Sequence, residues 1–123
     1  MFKAQHIDHV EVLVSDLPRS AKWYEEVLGL KPMGKWDPEP WMIGAGTSKL
    51  ALFKAELPRT DAGSEAHWHR VAWHTDAAGF QGAQQHLKAL GIAFRGPVDH
   101  GVSDSIYFND PDGNPLEITF YKR

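Results

Sequence analysis

Two stretches, HVEVLVSDLPRSAKWYEEVLGL (residues 9–30) and HRVAWHTDAAGFQGAQQHLKALGI (residues 69–92), read as two copies of one unit. Each opens on a histidine with an aspartate seven residues on, His9 to Asp16 and His69 to Asp76. Each closes on a glycine, in Leu28-Gly29-Leu30 and Leu90-Gly91-Ile92. Alternating apolar residues before the aspartate predict a strand, and the run after it predicts a helix. Ser15 or Asp16 is the expected N-cap of the first helix, with Pro18 in its first turn, and Asp76 caps the second. A glycine just past the last turn supplies the left-handed stop that helices favour.

Outward from these units, short strand-like runs are separated by Gly, Pro and Asn. In the first half they fall at Met33–Trp36, Trp41–Ile43 and Leu50–Lys54. In the second they fall at Ala93–Phe94, Ser105–Phe108 and Leu116–Tyr121. The pattern predicts two βαβββ modules, about 5–56 and 67–121, joined by a polar linker at about 57–66. Two copies are too few for a solenoid, which needs more to cover its ends. The expectation is therefore one α+β domain over residues 1–123, with the paired modules forming a cup-shaped mixed sheet and the helices outside.

Composition agrees with one core. The chain has 123 residues, 42% hydrophobic and 24% charged, which suits a single domain. A net charge of −3 provides no basic stripe, so neither nucleic acid nor an anionic membrane is an expected partner. No apolar run approaches the roughly 20 residues of a spanning helix, and MFKAQHIDHV lacks a signal-peptide core. A cytoplasmic protein is expected. The absence of cysteine excludes disulfide scaffolds, thiolate metal sites and cysteine nucleophiles. Any metal must be held by imidazole and carboxylate, which directs attention to the seven histidines.

In the first strand Val10, Val12 and Val14 take the helix-facing side, which turns His9, Glu11 and Leu13 into the concavity. By the repeat, His69, Val71 and Trp73 face the same way in the second module. Leu116, Ile118 and Phe120 alternate onto the buried side of the last strand, and Glu117 points away from it. Under a pseudo-twofold, His9 and His69 are equivalent and Glu117 lies on the same face. Two imidazoles and a carboxylate form a facial set that holds a divalent metal and leaves positions open for substrate. Taken singly, each residue also has a plain reading as a solvated strand residue. His6, His74 and His86 read as surface or packing residues, and His67 shares the face of His69 if that strand starts early.

The stretches IDHVEVLVSDLPRSAKWYEEVLGL and DSIYFNDPDGNPLEI resemble the vicinal oxygen chelate superfamily, which contains glyoxalase I, extradiol dioxygenases, fosfomycin-resistance enzymes and bleomycin-binding proteins. The resemblance implies paired βαβββ modules around a metal, homodimeric assembly, and metal positions at His9, His69 and Glu117. Glyoxalase I adds a carboxylate on the last strand of its first module, where SKLALFKAE here offers Leu50 or Leu52. Glu11 and Glu56 are possible displaced substitutes. The set of two histidines and a glutamate is closer to extradiol dioxygenases and fosfomycin enzymes, which place a Tyr ten residues before the Glu, as Tyr107 stands here. Tyr107 thus becomes a candidate for proton transfer to a substrate oxygen, with His100 as its acid–base partner. KWDPEPWM is similar to an aromatic loop over the fosfomycin site and makes Trp41 a substrate-binding candidate beside Glu11 and Trp73.

The function so implied is a small metal enzyme acting on a molecule with adjacent oxygens. Dioxygenase-like use of Fe2+ stands slightly ahead of isomerase, lyase or thiol-transferase chemistry with Zn2+, Mn2+ or Ni2+. The alternative class is a binding protein that sequesters a drug or metabolite without turnover.

Overall fold

The computed structural model describes residues 1–55 and 69–122, so the expected linker, Glu56 and His67 lie outside the described residues. The chain forms two compact units, Met1–His67 and Trp68–Arg123. The first contains β1 (His9–Val14), α1 (Leu17–Leu28), β2 (Lys31–Lys35), β3 (Trp41–Ala45) and β4 (Ser48–Lys54). The second contains β5 (Val71–His74), α2 (Ala77–Ala89), β6 (Arg95–Asp99), β7 (Ser103–Asn109) and β8 (Pro115–Tyr121). Each unit is βαβββ, and the two four-stranded sheets have matching orders, β1-β4-β3-β2 and β5-β8-β7-β6. The first strand of each sheet pairs in parallel with the last, and the remaining pairs are antiparallel. The α+β class with two mixed sheets is what the repeat predicts.

The helix boundaries follow from the capping residues. The Asp16 carboxylate accepts from the Arg19 amide at 2.9 Å, and Asp76 accepts from the Gly79 amide at 2.7 Å. Each bond satisfies one of the amides that a helix start leaves without an intrahelical partner. Gly29 ends α1 at φ +71°, and its amide donates to the Glu25 carbonyl at 3.0 Å. Leu17, Ser20, Tyr24 and Val27 recur at helical spacing and are buried. Val12, Val14, Leu50 and Leu52 of the sheet are buried too, all at or below 5% exposure. Burying each large aliphatic side chain this fully is worth about 1.5–3 kcal/mol. In the second unit Phe80 and Leu87 of α2 are buried with Ile106, Phe108, Leu116 and Ile118. Phe80 meets Phe120 with ring centroids 4.9 Å apart.

The strand expected at 93–94 is displaced: β6 runs through Arg95–Asp99 and contains Gly96 and Pro97. Those two residues read as a chain break in the sequence. They are tolerated because β6 is an edge strand whose pairing with β7 shifts register between Arg95 and Val98.

Asp110 organises the turn that delivers β8. Its Oδ1 accepts from the amides of Asp112 and Asn114, both at 2.9 Å, and its Oδ2 accepts from Asn114 Nδ2 at 2.8 Å. All three residues are buried, and Gly113 takes the left-handed position at φ +83°. Asp110→Ala leaves two buried amides without their carboxylate, and is expected to cost about 3 kcal/mol in urea unfolding. A loss under about 1 kcal/mol would show the turn to be held by other means.

Candidate functional site

Partners in register share a side of the sheet, so the pairing fixes which side chains look away from the helices. In the first unit Val10, Val12, Leu50 and Leu52 share the α1 side, while His9, Glu11 and Leu13 share the open side with Lys49, Ala51 and Phe53. None of the three β4 residues on this side is acidic, so β4 carries no carboxylate there, and Leu50 and Leu52 face α1 instead.

His9 sits between two acids. Its Nδ1 donates to Asp8 Oδ2 at 2.9 Å, and its Nε2 is 3.3 Å from Glu11 Oε2. Lys49 Nζ donates to the other Asp8 oxygen at 3.0 Å. The Asp8 hydrogen bond, followed by that of Glu11, raises the His9 pKa above its ordinary value. The same bond to His9, followed by the one from Lys49, lowers that of Asp8.

In the second unit Tyr107 and Glu117 are register partners on the open side, with Ser105 opposite Thr119. Ser105 Oγ donates to Glu117 Oε2 at 2.6 Å and lies 3.0 Å from Thr119 Oγ1, which donates to the Asp104 carbonyl at 3.1 Å. Two hydroxyl protons serve three contacts, and the shorter one, from Ser105 to the carboxylate, uses the Ser105 proton. His100 Nε2 and the Tyr107 hydroxyl are 2.6 Å apart. The guanidinium carbons of Arg70 and Arg95 lie 4.6 and 4.4 Å from the centre of the Tyr107 ring.

Other expected positions are displaced. β5 pairs Val71 with Leu116 and Trp73 with Ile118, which puts both on the α2 side. Ala72 and His74 take the side of Glu117 instead, and His74 stacks near Tyr121 with centroids 6.2 Å apart. Val71 and Trp73 thus face α2, contrary to the expectation from the repeat that they face the concavity. In β1 the apolar alternation starts one residue after the histidine, and in β5 it starts two after. His69 therefore precedes its strand, exposed and outside its register. Trp73 Nε1 is buried with no hydrogen-bond partner among the described residues.

Trp41 is likewise on the helix side. It pairs with Leu52, lines a hollow of about 380 Å³ between α1 and β2–β3, and has Lys35 Nζ 4.3 Å above its ring. Its indole donates to the Pro38 carbonyl at 3.2 Å, which fixes the ring. Among the described residues, no three His, Asp or Glu side chains are grouped to hold a metal.

The family model described as Glyoxalase/Bleomycin resistance protein/Dioxygenase superfamily matches residues 6–118, nearly the whole chain. The chain belongs to this superfamily. Within the glyoxalase/bleomycin resistance/dioxygenase superfamily it is similar to catechol-2,3-dioxygenase of Bacillus subtilis (strain 168), at 28% identity over 92% of this chain and 40% of that protein. It is also similar to glutathione transferase FosA of Serratia marcescens, at 26% identity over 93% of this chain and 79% of that protein. The chain thus spans about two-fifths of the dioxygenase and about four-fifths of the transferase. Among solved structures, a virulence protein of Salmonella typhimurium superposes with a TM-score of 0.78 at 28% identity, over 98% of this chain and 99% of that one. Lactoylglutathione lyase of Agrobacterium tumefaciens shares the fold, with a TM-score of 0.78 at 23% identity over 95% of this chain and 94% of that one. Members of the superfamily bind a divalent metal and small-molecule substrates and commonly form dimers.

Sequence reasoning missed Asp8, Ser105, Arg70 and Arg95. Ser105 was within reach of it, because it stands two residues before Tyr107 and alternation puts it on the same side. Asp8 gave no such signal, because strand alternation does not extend to the residue before β1. Arg95 was hidden by the misplaced strand.

Proposed function

We propose that this chain is a divalent-metal-dependent enzyme acting on a small molecule with adjacent oxygen atoms, and that its chemistry is dioxygenase-like with Fe2+. The observation that carries the reading is the 2.6 Å contact between the Tyr107 hydroxyl and His100, on the strand next to Glu117 and on the same side of the sheet. A phenol bonded to an imidazole is an acid–base couple. It can hold a substrate oxygen and pass a proton through Tyr107 Oη to His100 Nε2.

The metal donors of this reading are His9, His69 and Glu117, whose two imidazoles and one carboxylate suit Fe2+, Zn2+, Mn2+ or Ni2+. The metal would act as a Lewis acid on the paired oxygens. Ser105 occupies one Glu117 oxygen and leaves Oε1 for a ligand. Asp8 orients the His9 ring by holding Nδ1, as carboxylates behind ligating histidines do. Glu11 remains a candidate for contacting substrate, whereas Trp41 and Trp73, on the helix sides, are left to packing. Assembly as a homodimer belongs to the same proposal.

Anaerobic reconstitution with Fe2+ followed by a panel of catechols tests the chemistry. The expected result is oxygen uptake matched by a coloured ring-cleavage product. Metal-loaded protein that consumes no oxygen with any catechol would remove the dioxygenase reading and leave isomerase, lyase or thiol-transferase chemistry at the same residues.

A further inference from the structure

The open side of the second unit carries two arginines that form no ion pair among the described residues. Arg70 and Arg95 both lie within 4.6 Å of the centre of one ring, that of Tyr107. A guanidinium over a ring is attracted by the ring's negative face and still carries five N–H donors in a planar fork. Among the described residues neither arginine makes an ion pair or a side-chain hydrogen bond, and both are exposed. The nearby acids are otherwise engaged. Asp99 and Asp104 are held by Lys122 Nζ at 2.9 and 3.1 Å, and Glu117 Oε2 accepts a hydrogen bond from Ser105 Oγ. Two guanidinium groups near one ring repel each other, and an anion between or beside them removes that cost.

We propose that Arg70 and Arg95 form an anion anchor beside Tyr107 and that the substrate carries a carboxylate. Neither guanidinium is paired with a carboxylate among the described residues, so both forks are open to an anion. A planar carboxylate also matches the arginine fork through two parallel hydrogen bonds. The anchor lies over the ring that carries the Tyr107 hydroxyl, so the carboxylate of the substrate stands near the oxygen that Tyr107 holds. This placement of the reacting oxygen rests on the reading above, but the anchor itself does not.

The probes are 2,3-dihydroxybenzoate and its neutral methyl ester, titrated by calorimetry into chelator-treated and metal-loaded protein. The acid is expected to bind about ten-fold more tightly than the ester at low ionic strength, with the gap narrowing as salt is added. The double variant Arg70→Gln, Arg95→Gln is expected to bind both alike, with circular dichroism and melting temperature confirming that it folds. Equal binding of acid and ester by the parent, no binding of the acid, or a preference that survives in the double variant would each overturn the anchor. Competition with benzoate and phenylphosphonate identifies the anion: displacement by benzoate supports a carboxylate, and displacement by phenylphosphonate alone overturns it. Because the preference is read with and without metal, a protein that binds no metal can still show it, and the two failures are distinguishable.

Discussion

Tyr107→Phe is expected to lower kcat/KM by about 10²–10³-fold on whichever vicinal-oxygen substrate the protein turns over, while substrate binding changes much less. The phenyl ring keeps the surface over which the Arg70 and Arg95 guanidinium carbons lie, so the site retains its shape and its charge. Only the hydroxyl that contacts His100 at 2.6 Å is lost. His100→Gln keeps a hydrogen-bonding side chain but removes the imidazole that takes up the proton, and is expected to cost less. Since the two act as one couple, the double variant is expected to be little worse than Tyr107→Phe alone. Additive losses, or a Tyr107→Phe enzyme with parental kcat, would show that the contact is structural and that proton transfer happens elsewhere.

The fold was legible where local chemistry is strict. Asp16, Asp76, Gly29 and Gly91 mark helix ends because unpaired amides and carbonyls have few ways to be satisfied, and the structure uses these residues at both helices. Alternation placed Glu117 and His9 correctly on the open sides of their sheets. The repeat failed in β5, a strand of four residues whose own apolar pattern, Val71 and Trp73, it overrode. The repeat suggested that His69 matches His9, yet the phase of Val71 and Trp73 is one residue out of step with that of Val10 and Val12.

The Tyr107–His100 couple was anticipated as a pair of residue types. Its geometry was not, because seven residues of spacing across a loop and a strand do not fix where two side chains meet. The arginines were invisible for a related reason. Arg95 lay just beyond the expected strand, and Gly96 and Pro97 looked like a break in the chain rather than an edge strand with a register shift. Edge strands accept such residues because one row of their hydrogen-bonding groups is not needed by the sheet.

Glu117→Ala is expected to have the largest effect of any single substitution, through loss of the metal. The side chain is half-buried, oriented by Ser105, and stands between the Tyr107 strand and β5. Its removal deletes the one carboxylate of the proposed donor set, and loss of a direct ligand exceeds the 10–100-fold typical of an outer-shell change. The most direct measurement is elemental analysis of the parent and of Glu117→Ala, both purified without chelator and both reconstituted anaerobically with Fe2+, Zn2+, Mn2+ and Ni2+. The account predicts close to one equivalent of divalent metal in the parent and almost none in the variant, with the variant still folded by circular dichroism. A parent that takes up no metal, or a variant that keeps all of it, would contradict the account and return Glu117 to an ordinary strand residue facing solvent.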